Sequence, residues 1–181
     1  MPDLALTSPP ARPELLRQLR LRLGDAAPGL RLVAEGLLGA DSPIDFVGID
    51  AEGRAVIILV GDPGADLELV TRGLAQRAWV ERRLRDWLQL APHLGVRPEM
   101  GVRLLLLCPG FRAESRAAAS VLAPDAPELI LYRCVRNGAG VDSLVEPLDN
   151  RPTAPTPAAP FRTGLTDADL GISPEERREF D

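Results

Sequence analysis

The chain has 181 residues, enough for one domain with a full hydrophobic core plus a tail, and 45% of them are hydrophobic, as in globular proteins. Its 26 acids outnumber its 21 basic residues, all of them arginine, for a net charge of -5. Chemistry that needs an ε-amino group is thereby excluded, because a guanidinium stays protonated and is planar rather than compact. The longest apolar run, Ala55 to Gly61, falls far short of the about 20 residues that cross a bilayer.

Residues 1–12 carry Asp3 and three prolines and read as a flexible amino terminus. They lack the basic start and apolar centre of a signal peptide, so a cytoplasmic protein is expected. A domain over 13–146 follows. Pro13 in a first helical turn, Leu15, Leu16, Leu19 and Leu23 on one face, and Gly24 as a stop predict an amphipathic helix. Leu30 to Leu38 suits a strand. Ile44 to Asp50 and Arg54 to Gly61 are β-rich runs joined by Ala51-Glu52-Gly53, which predicts a hairpin with Asp50 at its turn. The second run is apolar on both faces, as a central strand covered by helices would be. Gly61-Asp62-Pro63-Gly64 ends it, and Asp66 is expected to cap a long helix reaching about Leu90. Arg103 to Cys108 predicts a buried strand, Arg112 to Leu122 a short helix and Glu128 to Val135 a further strand. The expected fold is α/β, a mixed central sheet flanked by helices.

After Glu146, prolines mark an extended linker over 147–160, and 161–181 reads as an acidic peptide with a short helix and spaced apolar residues, suited to engaging a protein partner or folding back on the domain. Residues 1–140 hold 17 arginines and 17 acids, and 141–181 hold 4 and 9, so the tail carries the net charge. A neutral domain argues against strong nonspecific DNA binding, which rests on excess cationic charge. Cys108 and Cys134 lie on separate apolar segments without CxxC spacing and read as buried thiols.

The run from Pro43 to Gly61, the long helix and the two following strands resemble the restriction-endonuclease-like, PD-(D/E)xK nuclease superfamily over roughly residues 14 to 137, in the order αβββαβαβ. The resemblance implies a metal-dependent nuclease site. In it two carboxylates and a backbone carbonyl hold Mg²⁺, while a lysine helps position the attacking water. Pro43-Ile44-Asp45 supplies the first carboxylate, Asp45. The Glu and Lys positions fall on Leu59 and Gly61, so the site is degenerate and no metal or other cofactor is expected. Asp45 then reads as a relic held by backbone hydrogen bonds, or as a polar anchor in a remaining pocket.

The alternative is a DNA endonuclease with a rearranged Mg²⁺ site, pairing Asp45 with Asp62, Asp66 or Glu68. Against it, Asp62 lies one residue out of phase in a turn signal, and acids in a first helical turn ordinarily cap it and complement its dipole. Gln76 falls where relatives carry a glutamine on the helix after the motif. Trp79 and Trp87, eight apart with Arg83 between, suit core packing or, with the arginine, base stacking. Arg72, Arg77, Arg82, Arg83 and Arg85 read as a solvated face, and His93, the sole histidine, as a loop residue. The combined expectation is a nuclease-fold binding module, for a protein or weakly for nucleic acid.

Overall fold

The computed structural model describes residues 5–123, 125–138 and 140–148. Helix α1 (Arg12–Ala26) has Pro13 in its first turn, where the missing N–H removes no helical bond, and turns Leu15, Leu19 and Leu23 to one buried face. Gly24 does not stop it. An interior glycine costs about 1 kcal/mol, and the buried face continues through Ala26 and Ala27.

The sheet starts at its amino-terminal end with the short β1 (Ala5–Thr7), inside the stretch expected to be a flexible terminus. Strands β2 (Arg31–Leu38), β3 (Pro43–Ile49) and β4 (Ala55–Val60) then form an antiparallel meander. The β3–β4 turn is closed by Asp50, whose carboxylate accepts the Glu52 and Arg54 N–H groups at 3.0 and 2.9 Å, and by Gly53 at φ 84°. Strands β5 (Val102–Cys108) and β6 (Glu128–Asn137) add parallel to β4 and to each other, so the sheet is mixed. Strand β7 (Gly140–Pro147) pairs antiparallel along β6 on the edge opposite β5, while β1 pairs with Cys134 to Arg136 beyond the end of β5.

On one side of the sheet α1 packs its leucines on Phe46, Val56, Ile58, Val60, Leu105, Leu107 and Tyr132. On the other, Leu69, Val70 and Val80 of α2 (Asp66–Glu81) pack on Ile57, Leu59, Leu104 and Leu106. This is an α/β fold with a mixed central sheet flanked by helices, in the expected core order αβββαβαβ. Every residue of β4 is buried, as its two-sided apolar sequence requires.

Other expectations need correction. The long helix breaks at Arg82–Arg83, and α3 (Leu84–Leu90) starts anew behind Arg83 at φ -110°. Strand β7 was not foreseen, and Pro147, expected to open the linker, is its last residue. Asp66 does not cap its own helix, whose Ala65 N-cap has no side-chain bond. It reaches instead to α4 (Ala113–Ser120), accepting the Arg112 N–H at 2.9 Å and the Ser115 hydroxyl at 2.5 Å. The expected linker beyond Leu148 and the peptide over 161–181 lie outside the described residues. Among the described residues no helix is long and apolar enough to cross a membrane.

Candidate functional site

Pairing between β3 and β4 runs from Ile49–Ala55 to Phe46–Ile58 and stops there. On the other flank of β3, Gly36 of β2 takes φ 62° between the pairs Glu35–Phe46 and Leu37–Ile44. Across this point the side chains change sides of the sheet: Phe46 packs with α1 and Ile44 with α2. Asp45 falls at the changeover. Its carboxylate, 5% exposed, reaches across the parting strands to accept the Val60 N–H at 2.8 Å, replacing the missing ladder partner.

The Val60 carbonyl is satisfied by arginines. Arg12, at the start of α1, donates from Nη2 to Asp45 Oδ1 at 2.7 Å and to the Val60 carbonyl at 3.2 Å, and its Nη1 lies 3.6 Å from Asp62 Oδ1. Arg72 of α2 donates to the same carbonyl at 3.2 Å. One guanidinium is thus surrounded by three oxygens, two from carboxylates and one from the backbone. Beside it, the Tyr132 hydroxyl donates to the Gly61 carbonyl at 3.0 Å, and burial pushes that phenol well above its ordinary pKa. The Cys108 thiol, also raised by burial, faces the Asp62 carbonyl at 3.5 Å. A small cavity of about 80 Å³ adjoins, lined by Val60, Asp62, Glu68, Leu69 and Arg72 among others.

Of the residues singled out from sequence, Asp45 and Asp62 meet here, joined by Arg12. Leu59 is fully buried in the core against α2. Gly61 is buried as well, and a β-carbon there would lie 2.8 Å from a methyl of Leu69 and 3.4 Å from Cys108 Sγ. Asp62 is exposed in a turn closed by the Ala65 N–H on its carbonyl at 3.1 Å. Asp66 is committed to Arg112 and Ser115. Burial drives its carboxyl upward, but the bonds from Ser115 and the Arg112 N–H, with the Arg112 charge, outweigh that and hold its pKa low. Glu68 lines the cavity and is exposed.

Gln76 is occupied internally, accepting the Ala40 N–H at 3.1 Å and donating to the Ser42 carbonyl and hydroxyl at 2.9 and 3.0 Å. Because the helix breaks between them, Trp79 and Trp87 belong to different helices, both packed on the α2-side core. Arg83 stacks over Trp79 with Cζ 4.1 Å from the ring centre. His93 is exposed in a 3-10 turn at Pro92–Leu94.

Sequence reasoning missed Arg12 and Tyr132, and it read Arg72 as part of a solvated face, whereas that side chain is half-buried and donates to the Val60 carbonyl. Arg12 stands immediately before Pro13, where only a helix start was visible. Nothing in the spacing ties it to Asp45, 33 residues on.

Magnesium, which the nuclease resemblance implies, does not fit these residues. Under that resemblance the second carboxylate's place falls on Leu59 and the lysine's on Gly61, and Asp45 and the Val60 carbonyl are bonded to a cationic side chain. Among the described residues no group of three or more His, Cys, Asp or Glu is placed to hold a metal ion.

No family model and no curated protein matches the sequence. Among solved structures, the chain is similar to a repair endonuclease from Pyrococcus abyssi, at 14% identity and a TM-score of 0.48, over 65% of this chain and 46% of that one. It is also similar to the protein of an EndoMS–dsDNA complex, at 17% identity and a TM-score of 0.38, over 66% of this chain and 43% of that one. A third is a protein of unknown function from Silicibacter pomeroyi, at 17% identity and a TM-score of 0.32, over 75% and 72% of the two chains. The chain thus spans less than half the length of the first two.

Proposed function

We propose that this domain is a non-catalytic binding module built on a nuclease-like fold. The observation that carries the reading is the packing of Leu59 and Gly61. These are the positions at which the resemblance places the second carboxylate and the lysine, and both are buried against α2, Leu59 at 0% exposure. A charged side chain at either would enter an apolar core, at a cost of several kcal/mol. The remaining acids offer no free ligand set: Asp66 is spent on α4, and the Arg12 guanidinium stands between Asp45 and Asp62.

A protein partner suits the charge better than nucleic acid does, since residues 1–140 balance 17 arginines with 17 acids and leave no excess to neutralise phosphates. The test is a nicking assay on plasmid and single-stranded DNA in Mg²⁺ and in Mn²⁺, beside a titration of both DNAs at low and physiological salt. No cleavage, with only weak and salt-sensitive DNA binding, is expected. Cleavage that Asp45→Ala abolishes would overturn the reading in favour of a rearranged endonuclease.

A further inference from the structure

We infer that Arg12 is a tethered cation occupying an oxygen site that would otherwise bind a divalent metal ion, so that this corner of the domain is closed without metal. It rests on the reading above only in placing Asp45 outside a cleavage reaction. Three oxygens from separate stretches of chain converge on the one guanidinium: Asp45 Oδ1 at 2.7 Å, the Val60 carbonyl at 3.2 Å and Asp62 Oδ1 at 3.6 Å. Two carboxylates and a carbonyl are a hard donor set of the kind that holds Ca²⁺, Mn²⁺ or Mg²⁺. They are also acceptors only, so a cation or a hydrogen-bond donor must compensate them.

Arg12 supplies both. Asp45 is 5% exposed and needs a positive neighbour, whereas the Arg12 side chain is 41% exposed and reaches in from the end of α1. Asp62, 74% exposed, can turn inward or away. The parting of β3 and β4 creates the demand, because the Val60 N–H and carbonyl lose their strand partner there. A guanidinium fixed on α1 meets that demand permanently and ties the helix to both strands. Free metal ions compete poorly with it, since the tethered group is always at hand and Arg72 donates to the same Val60 carbonyl from the α2 side.

Removing the tether is therefore expected to create metal dependence where the natural chain has none. The experiment measures thermal melting of the full chain and of Arg12→Ala in Mg²⁺, Mn²⁺ and Ca²⁺ chlorides, against NaCl of equal ionic strength, with calorimetric titration of the same ions. The natural chain should not respond. Arg12→Ala should melt lower and regain about 4 °C at tenfold excess over a dissociation constant of roughly millimolar order. The double variant Arg12→Ala/Asp45→Asn should lose that gain. Should Arg12→Ala not fold even with metal, Arg12→Gln, a shorter neutral side chain that retains an amide donor and more of the packing, carries the same comparison.

An equal response in the natural chain and the variant would overturn the inference. So would no response in the variant that folds, or a gain that survives loss of the Asp45 charge. DNA nicking that depends on Asp45 would sink the binding-module reading by a different readout. The absence of a metal-dependent melt would sink the present one alone.

Discussion

Two buried carboxylates in this domain look alike by exposure and differ in what surrounds them. Asp45 and Asp66 are 6% and 1% exposed, and each accepts one backbone N–H and one arginine. Around Asp66 every partner is a donor from one short stretch, Arg112 to Ser115, so the charge is satisfied locally and two helices are latched together. Around Asp45 the partners come from α1 and β4, and further acceptors, the Val60 carbonyl and Asp62, crowd the same guanidinium. Burial of an acid therefore does not mark a site. Convergence of acceptors from separate stretches of chain on one cation does.

The largest effect that would sharpen this contrast is expected at the latch. Asp66→Ala strips Ser115 and the Arg112 N–H of their acceptor and should cost about 2–4 kcal/mol in denaturant unfolding. Because the folded pKa of Asp66 is lowered, its contribution is fully present above the ordinary carboxylate range and is lost as pH falls through the lowered value. Asp66→Asn should accordingly flatten the acid limb of the stability profile. A latch of equal strength at acid and neutral pH would contradict the assignment.

Asp45→Ala should cost less, about 1–3 kcal/mol. It orphans the Val60 N–H, but the half-exposed Arg12 can turn to water. A loss larger than that of Asp66→Ala would reverse the comparison. Smallest, Arg83→Ala removes one cation–π contact on Trp79 and should cost about 0.5–1 kcal/mol by the same measurement, leaving both carboxylate sites intact.

The order of elements was readable because the hairpin, the two-sided apolar β4 and the helix after it each carry their own local pattern. Strand β7 was missed although it was readable: Asn137-Gly138 is a turn signal, and Val141, Ser143 and Val145 alternate with polar or exposed positions. The break at Arg82–Arg83 was not readable, since no glycine or proline announces it and the apolar spacing runs straight through to Trp87. Asp45 was visible through a family resemblance. Its partner Arg12 was invisible, because it reaches Asp45 through tertiary packing that leaves no periodic trace, as does Arg72 in reaching the Val60 carbonyl.

Tyr132 is the only tyrosine in the chain, and its hydroxyl rests on the Gly61 carbonyl at the point where β4 leaves the sheet. Any optical change specific to a phenol therefore originates at this one joint, next to the Arg12 contacts. The molecule carries its own spectroscopic reporter for this corner and needs no introduced label to be watched there.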